Sequence, residues 1–485
     1  MESPSKKRKV SATSNKASPK PLAPPARFVG GDGNPDSPFR TGLSDMKEKL
    51  LSGSQKREQI NSIAKELRHL TQLTLASFFS AADLSSLDEN LTEISLLAQS
   101  IVEKVGSKAE DQYLLSMSLV EGALSDAQAL ENLAFFISNG HLARSRSEQK
   151  ISGVTGVWDS VYLGGIIKTC HSLERYSVGR ATQGDRASVK VCGEFVEALL
   201  SKLMEFNFRN GPLRRAYDGV KYAHKRLGDI LYETSLCKGV TEEDVLPNQE
   251  KIPVDMLLPV HDLEEIRLKL DAYDEKREHV IKKCRDVQKL SKQAIFSLHR
   301  EEKEKARKQL DTAMSKAQAI SSEFNFQSEP SLRSGSFQNA MEEWVEGRLF
   351  EAWLDSDGTK ILSTAELQAE LTSPLKMTSE EYLGGLVDFT GEIGRWAVLK
   401  ATQRDKEAVE KALSADLTVE AAMILLDTAM PGKMNKKVGA LRNNVKKLEQ
   451  LLYELSLLTG TGKKAFTSTA NPSEDSESSS SSSKL

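Results

Sequence analysis

Four carboxylates in the second half of this chain stand at spacings that could do chemistry. Glu343 and Glu346, within Met341-Glu342-Glu343-Trp344-Val345-Glu346-Gly347, are at i and i+3. Asp388 and Glu392, within Asp388-Phe389-Thr390-Gly391-Glu392, are at i and i+4. On a helix each pair shares a face. If the two helices pack side by side, the four acids converge. An all-oxygen cluster of that kind suits Mg²⁺, with Mn²⁺ as the alternative, rather than zinc or copper. No Glu-x-x-His accompanies it, which counts against a di-iron bundle. One or two such ions would activate water and stabilise charge building on a phosphodiester oxygen. The ordinary alternative is a solvated helix surface, since charged residues make up 28% of the chain. Against it, Asp388 follows the apolar run Tyr382-Leu383-Gly384-Gly385-Leu386-Val387, and a carboxylate in an apolar setting needs a partner or a cation.

The elements that would position these acids occur twice. Tyr162–Asp185 and Tyr382–Asp405 align without a gap at an offset of 220, sharing Tyr-Leu-Gly-Gly, Arg175/Arg395, Ala-Thr-Gln at 181–183 and 401–403, and a closing Asp. In the first copy Lys168 replaces Asp388 and Ser172 replaces Glu392. The scaffold therefore does not require the acids. Each copy opens with an amphipathic helix: Ile60, Ile63, Ala64, Leu67, Leu70 and Leu73 form one apolar stripe, and Val280, Cys284, Val287, Leu290, Ala294 and Leu298 the other. Basic residues are expected on the outer sides, Arg57 and Arg68 in the first copy and Lys282, Lys283, Arg285, Lys292 and Arg300 in the second. Exposed bases of this kind are usually a solvated face, and an RNA contact is the sharper alternative. Asp126 is a candidate remnant of an acidic site in the first copy.

Composition bounds the rest. The 485 residues suffice for two or three cored domains, and the net charge of −3 confines any nucleic-acid contact to local basic surfaces. No apolar run is long enough to cross a bilayer, so no membrane partner is expected. Four scattered cysteines without a CxxC pair suit a reducing compartment. The helical periodicity without strand pattern predicts an all-α fold of two tandem helical bundles with disordered tails. The expected organisation is a disordered tail at 1–43, a first helical domain at 44–240, a linker at 241–256, a second helical domain at 257–463 and a disordered Ser-rich tail at 464–485. The tail cluster Pro4-Ser5-Lys6-Lys7-Arg8-Lys9-Val10 reads as a nuclear import signal, and the terminal Ser483-Lys484-Leu485 has the form of a peroxisomal address. Nucleus and cytoplasm are the expected locations.

With these residues in hand, the second copy resembles the TRAX type of the translin family. The resemblance rests on Lys276-Arg277-Glu278, Phe296-Ser297-Leu298-His299-Arg300, Glu343-Trp344-Val345-Glu346 and Asp388-Phe389-Thr390-Gly391-Glu392. The first copy resembles the translin type, through Leu213–Tyr222 and Tyr232-Glu233-Thr234-Ser235-Leu236. The resemblance implies helical bundles assembling into closed, hollow homo-oligomers, with the first half non-catalytic. It implies a Mg²⁺-dependent endoribonuclease that acts on single-stranded RNA in small-RNA or tRNA-fragment processing, with single-stranded DNA as a further ligand. Glu343, Glu346 and Asp388 would hold the metal, with Glu392 as a supporting catalytic acid. Two departures stand out. The two types, normally separate chains, are joined here. The first copy has Leu115-Ser116-Met117-Ser118-Leu119-Val120-Glu121 where the family carries Arg and His, so strong independent RNA binding by this half is not expected. Three readings follow: a metal nuclease, a non-catalytic binder of single-stranded RNA or DNA, and a helical assembly scaffold.

Overall fold

The computed structural model describes residues 38–81, 84–106, 114, 117–145, 149–151, 159–236, 251–326, 329–426 and 434–460, and every structural statement concerns these. The import-type cluster, the Ser-Lys-Leu terminus and most of the expected linker lie outside them. Among the described residues there is no strand. The first bundle comprises α1 (Pro38–Ala81), α2 (Leu84–Val105), α3 (Ser118–Asn139), α4 (Asp159–Thr182), α5 (Arg186–Leu203) and α6 (Pro212–Ser235). After a one-turn helix α7 (Val254–Leu257), the second bundle follows as α8 (Val260–His299), α9 (Lys303–Glu323), α10 (Ser336–Asp355), α11 (Thr364–Ala369), α12 (Ser379–Thr402), α13 (Lys406–Leu426) and α14 (Met434–Gly460). No described helix is long and apolar enough to cross a membrane.

The two bundles pack by one scheme. In the first, α1 packs on α2 and α3, and α4 packs on α3, α5 and α6. In the second, α8 packs on α9 and α10, and α12 packs on α10, α13 and α14. Each encloses its own apolar core, built on Leu67, Ile94, Leu124 and Phe195 in one case and on Trp344, Phe350, Trp353 and Phe389 in the other.

The cores do not respect the sequence order, because both long helices run across from one to the other. α1 begins at Pro38, before the expected helical start at 44, and buries Phe39, Leu43 and Met46 in the second core; from Ile60 it enters the first. α8 does the reverse: Leu263 and Ile266 belong to the first core, and from Val280 the helix belongs to the second. Both helices are about 60 Å long at 1.5 Å per residue, long enough to reach both cores.

α12 is well specified locally. Thr378 caps it by accepting from the Glu381 amide at 3.2 Å, while Glu381 accepts from the Thr378 amide at 3.0 Å, a reciprocal capping box. Arg333 bonds both oxygens of the buried Glu381, at 2.9 and 2.7 Å. Within α12, Gly384 and Gly385 face α10. A Cβ on Gly385 would lie 2.6 Å from the Glu342 carbonyl oxygen and from Val345 Cβ. α4 uses the same device, its Gly165 lying against Gln128 of α3.

Gly385→Ala must therefore push α12 off α10, and overpacking of this kind costs about 1–3 kcal/mol. Gly439 in α14 has nothing within 4 Å of its would-be Cβ. Gly439→Ala is expected to stabilise by about 0.5–1 kcal/mol through helix propensity alone. Thermal or urea unfolding of the two variants should move in opposite directions; a Gly385→Ala protein as stable as wild type would contradict the close approach.

Candidate active site in the second bundle

The helix faces set by the sequence spacing do meet. Glu343 and Glu346 on α10 and Asp388 and Glu392 on α12 line one cleft of about 1060 Å³, closed by the end of α8 and by α14. Glu346 and Glu392 are buried, at 8% and 6% exposure, whereas Asp388 keeps 39% of its side-chain surface.

Three of the four acids have a basic partner. Glu392 is the most heavily compensated: His299 Nε2 lies 2.7 Å from one oxygen, and Arg395 donates to both at 2.7 and 2.8 Å. Glu343 pairs with Lys292 at 3.1 Å. Lys437 on α14 donates to Asp388 at 2.6 Å, to Glu342 at 2.8 Å and to the Gly384 carbonyl at 3.3 Å. Burial opposes the charge on Lys437, but these bonds outweigh it and its pKa stands above the ordinary lysine value. Burial also pushes the Asp388 carboxyl up, against the pull of Lys437.

Glu346 has no cation of its own. Burial, together with the charges of Glu392, Asp388 and Glu343 and a hydrogen bond to Glu392, pushes its carboxyl up to about 9. At neutral pH it keeps its proton, which lies between Glu346 and Glu392. This is the arrangement expected of one negative charge too many in a low-dielectric pocket. It also fits a divalent cation, which could replace that proton among acidic oxygen donors. The cleft does not draw three carboxylate oxygens together in the manner of a closed cage: the only group among the described residues with three ligand atoms within 4.8 Å of one another is His261, Asp262 and Glu265. In the cleft, Lys437 occupies the space between Asp388 and Glu342 instead.

The rim is basic where the floor is acidic, with Lys292, Arg395, Lys437 and Lys447 all lining the cleft. Asn444 completes the wall. It donates to the Thr390 carbonyl at 2.8 Å and to Asp416 at 2.6 Å, and it sits against Gly394, where any Cβ would collide with it. Burial raises Asp416 well above the ordinary carboxyl range, against the pull of its hydrogen bond from Asn444.

The first bundle has the same place with its charges rearranged. Gly165 faces Gln128 as Gly385 faces Val345, so Asp126 answers Glu343 and Ala129 answers Glu346, while Lys168 stands in the position of Asp388. Lys168 donates to Asp126 at 2.5 Å and Arg68 does so at 3.1 Å. Arg68 is thus not the outward base that the periodicity suggested: Gly122 leaves room for its guanidinium to fold in toward Asp126. Phe79 stands where His299 would be, with the Arg175 guanidinium 4.1 Å above its ring. One carboxylate with two cations leaves no surplus negative charge here.

Sequence reasoning missed Lys437, His299, Glu342 and Asn444 as parts of the site. Glu342 was within reach, as the neighbour of Glu343 on a helix turned toward Gly384. The other three come from elements remote in sequence and carry no local signal.

Residues 275–458 match the family model described as "Translin family". The chain is 32% identical to translin of Homo sapiens over 90 residues, 19% of this chain and 39% of that protein, and to translin of Gallus gallus over 82 residues, 17% and 35%. It therefore spans well under half the length of these relatives. Among solved structures it is similar to AfC3PO, at 22% identity with a TM-score of 0.34, and to an AfC3PO complex with duplex RNA, at 21% and 0.33; each comparison covers 40% of this chain and 97% of the other. The second bundle, with its acid cleft, is thus the part of the chain that is similar to the translin family.

Proposed function

We propose that the second bundle is a Mg²⁺-dependent endoribonuclease acting on single-stranded RNA, and that the first bundle is its non-catalytic partner in a homo-oligomeric shell. The observation that carries this reading is the contrast between the two clefts. In one, four carboxylates line the cleft and Glu346 is forced to keep a proton; in the other, the lone Asp126 is neutralised by Lys168 and Arg68. A structural role would be served by the second arrangement, so the surplus acid in the first points to a cation.

Glu343, Glu346 and Asp388 would hold Mg²⁺, with Mn²⁺ as a substitute. Bound there, the ion would supply Lewis-acid polarisation of the scissile phosphate and a more acidic water. The chain's own groups do the rest. Glu346 would have to release its proton to hold the ion. Glu392, held by His299 and Arg395, is placed beside it to accept a proton from water. Arg395, Lys292 and Lys447 on the rim meet the substrate's phosphates. Lys437 holds Asp388 in position. Small-RNA or tRNA-fragment processing in nucleus and cytoplasm is the proposed setting. The competing reading, a non-catalytic binder of single-stranded RNA or DNA, keeps the basic rim and assigns the acids to structure.

Labelled single-stranded RNA should be cut by the wild-type chain with Mg²⁺ and not with EDTA. Asp388→Ala should lower the rate by at least a hundredfold while leaving RNA bound and the assembly intact. Binding without cleavage in every case would favour the competing reading. A second test uses the proton on Glu346. Its unfolded value is near 4.5 and its folded value near 9. Its contribution to stability is therefore complete below pH 4.5 and is lost as pH rises through 9. Without divalent ions, the melting temperature of Glu346→Gln should fall less than that of wild type between pH 5 and pH 9. Added Mg²⁺ should restore the wild type most at the alkaline end and leave the variant unmoved; parallel curves would remove the cation from the site. Finally, four joined chains supply the eight bundles of a closed shell, so light scattering should give the mass of four chains. A monomer would exclude the shell.

A further inference from the structure

The acid cleft opens onto a second feature of α8. Arg285, Lys289, Lys292 and Phe296 follow one another at i, i+4, i+7 and i+11, a single stripe along the helix about 16 Å long. With Gln288 and Gln293 they line an open groove of about 450 Å³. Lys292 and Phe296 line the acid cleft as well, so groove and cleft are continuous at these two residues.

The groove differs from the rest of the helix surface. Lys276 and Lys283 on the same helix are tied to Glu329 and Glu323. Arg285 and Lys289 are exposed, with no ion-pair partner among the described residues. Phe296 is 62% exposed, although Cys284, Val287, Ser291 and Ala294 already fill the core side of α8. The Arg300 guanidinium lies 5.6 Å from the Phe296 ring centroid, against one side of the aromatic. Free cations in a row meet phosphates, and an exposed aromatic flanked by cations offers a base a stacking face.

We propose that this stripe is the entry track for the polynucleotide, with Arg285 and Lys289 holding successive phosphates and Phe296 stacking one base at the mouth of the acid cleft. The track rests on the nuclease reading for its destination but stands on its own as a binding site. It selects a single strand, because the bases of a duplex are already stacked on one another and present no free face to Phe296.

The test is fluorescence anisotropy of a short fluorescein-labelled oligouridylate with the full chain, in EDTA, over a salt series. The substituted side chains are exposed, and unchanged melting curves confirm that the variants fold. Arg285→Ala/Lys289→Ala should weaken binding at least tenfold at low salt and flatten the log–log salt dependence by about 1.4, at about 0.7 per lost phosphate contact on a single strand. Phe296→Ala should weaken binding about tenfold, a value within the range for one stacked base, while Phe296→Trp retains it. With an abasic oligonucleotide, wild type and Phe296→Ala should bind equally. Unchanged affinity and salt slope in the double variant would overturn the track. So would a Phe296→Ala loss that persists on the abasic strand, or an equal preference for duplex RNA. The two proposals fail separately. Asp388→Ala reports on cleavage and leaves the track in place; track variants raise KM far more than they lower kcat. A wild type that binds through the track without cutting would remove the nuclease and keep the track.

Discussion

Gly385 brings α12 so near α10 that a methyl group in place of its hydrogen would lie 2.6 Å from the Glu342 carbonyl oxygen, and the acid cleft exists only at that separation. With the helices a side chain further apart, Glu346 would no longer reach Glu392, and Lys437 could not span Asp388, Glu342 and the Gly384 carbonyl. The price of the approach is two glycines inside a helix, about 1 kcal/mol each relative to alanine. The capping box at Thr378 and Glu381 and the Arg333 pair offset part of that cost at the start of the same helix. Gly164 and Gly165 repeat the arrangement in the first bundle without any surplus acid. Close packing is thus a property of the scaffold, and the acids are an addition to it.

That separation of scaffold from chemistry explains how the two clefts diverged. In the second, Glu346 and Glu392 are buried and must be compensated; in the first, Asp126 is only partly buried. The first bundle compensates locally with Lys168 and Arg68. The second spends its nearby cations on the other acids, His299 and Arg395 on Glu392, Lys292 on Glu343 and Lys437 on Asp388, and leaves Glu346 with a proton. A few substitutions on one framework change a closed set of ion pairs into a pocket with an unmet demand for positive charge.

Much of this was legible in the sequence because it depends on local periodicity. The all-α class follows from apolar stripes, and the shared cleft of Glu343, Glu346, Asp388 and Glu392 follows from spacings that put each pair on one face. The repeat added the information that the acids are dispensable to the fold. Partnerships across long separations were not legible. Lys437 reaches Asp388 over 49 positions and His299 reaches Glu392 over 93, and nothing in the local sequence marks either residue. Arg68 read as an outward base because periodicity alone cannot tell solvent from a notch left by a glycine. The expected domain edges at 44 and 257 follow composition, while α1 runs on through position 44, α8 starts in the first core just past 257, and both carry their apolar faces from one core to the other.

The exchange of α1 and α8 between cores also orders events during synthesis. Phe39, Leu43 and Met46 are among the first described residues to leave the ribosome, yet the helices they pack against, α11 and α13, end only at Leu426. At 5–20 residues per second, roughly 380 intervening residues take about 20–75 s to translate. For that interval three large apolar side chains have no native place to go. The first bundle likewise waits for Leu263 and Ile266 before its core is complete. The first core can therefore close well before the second, and the Phe39–Met46 segment, which waits for the second, is the one most in need of a chaperone.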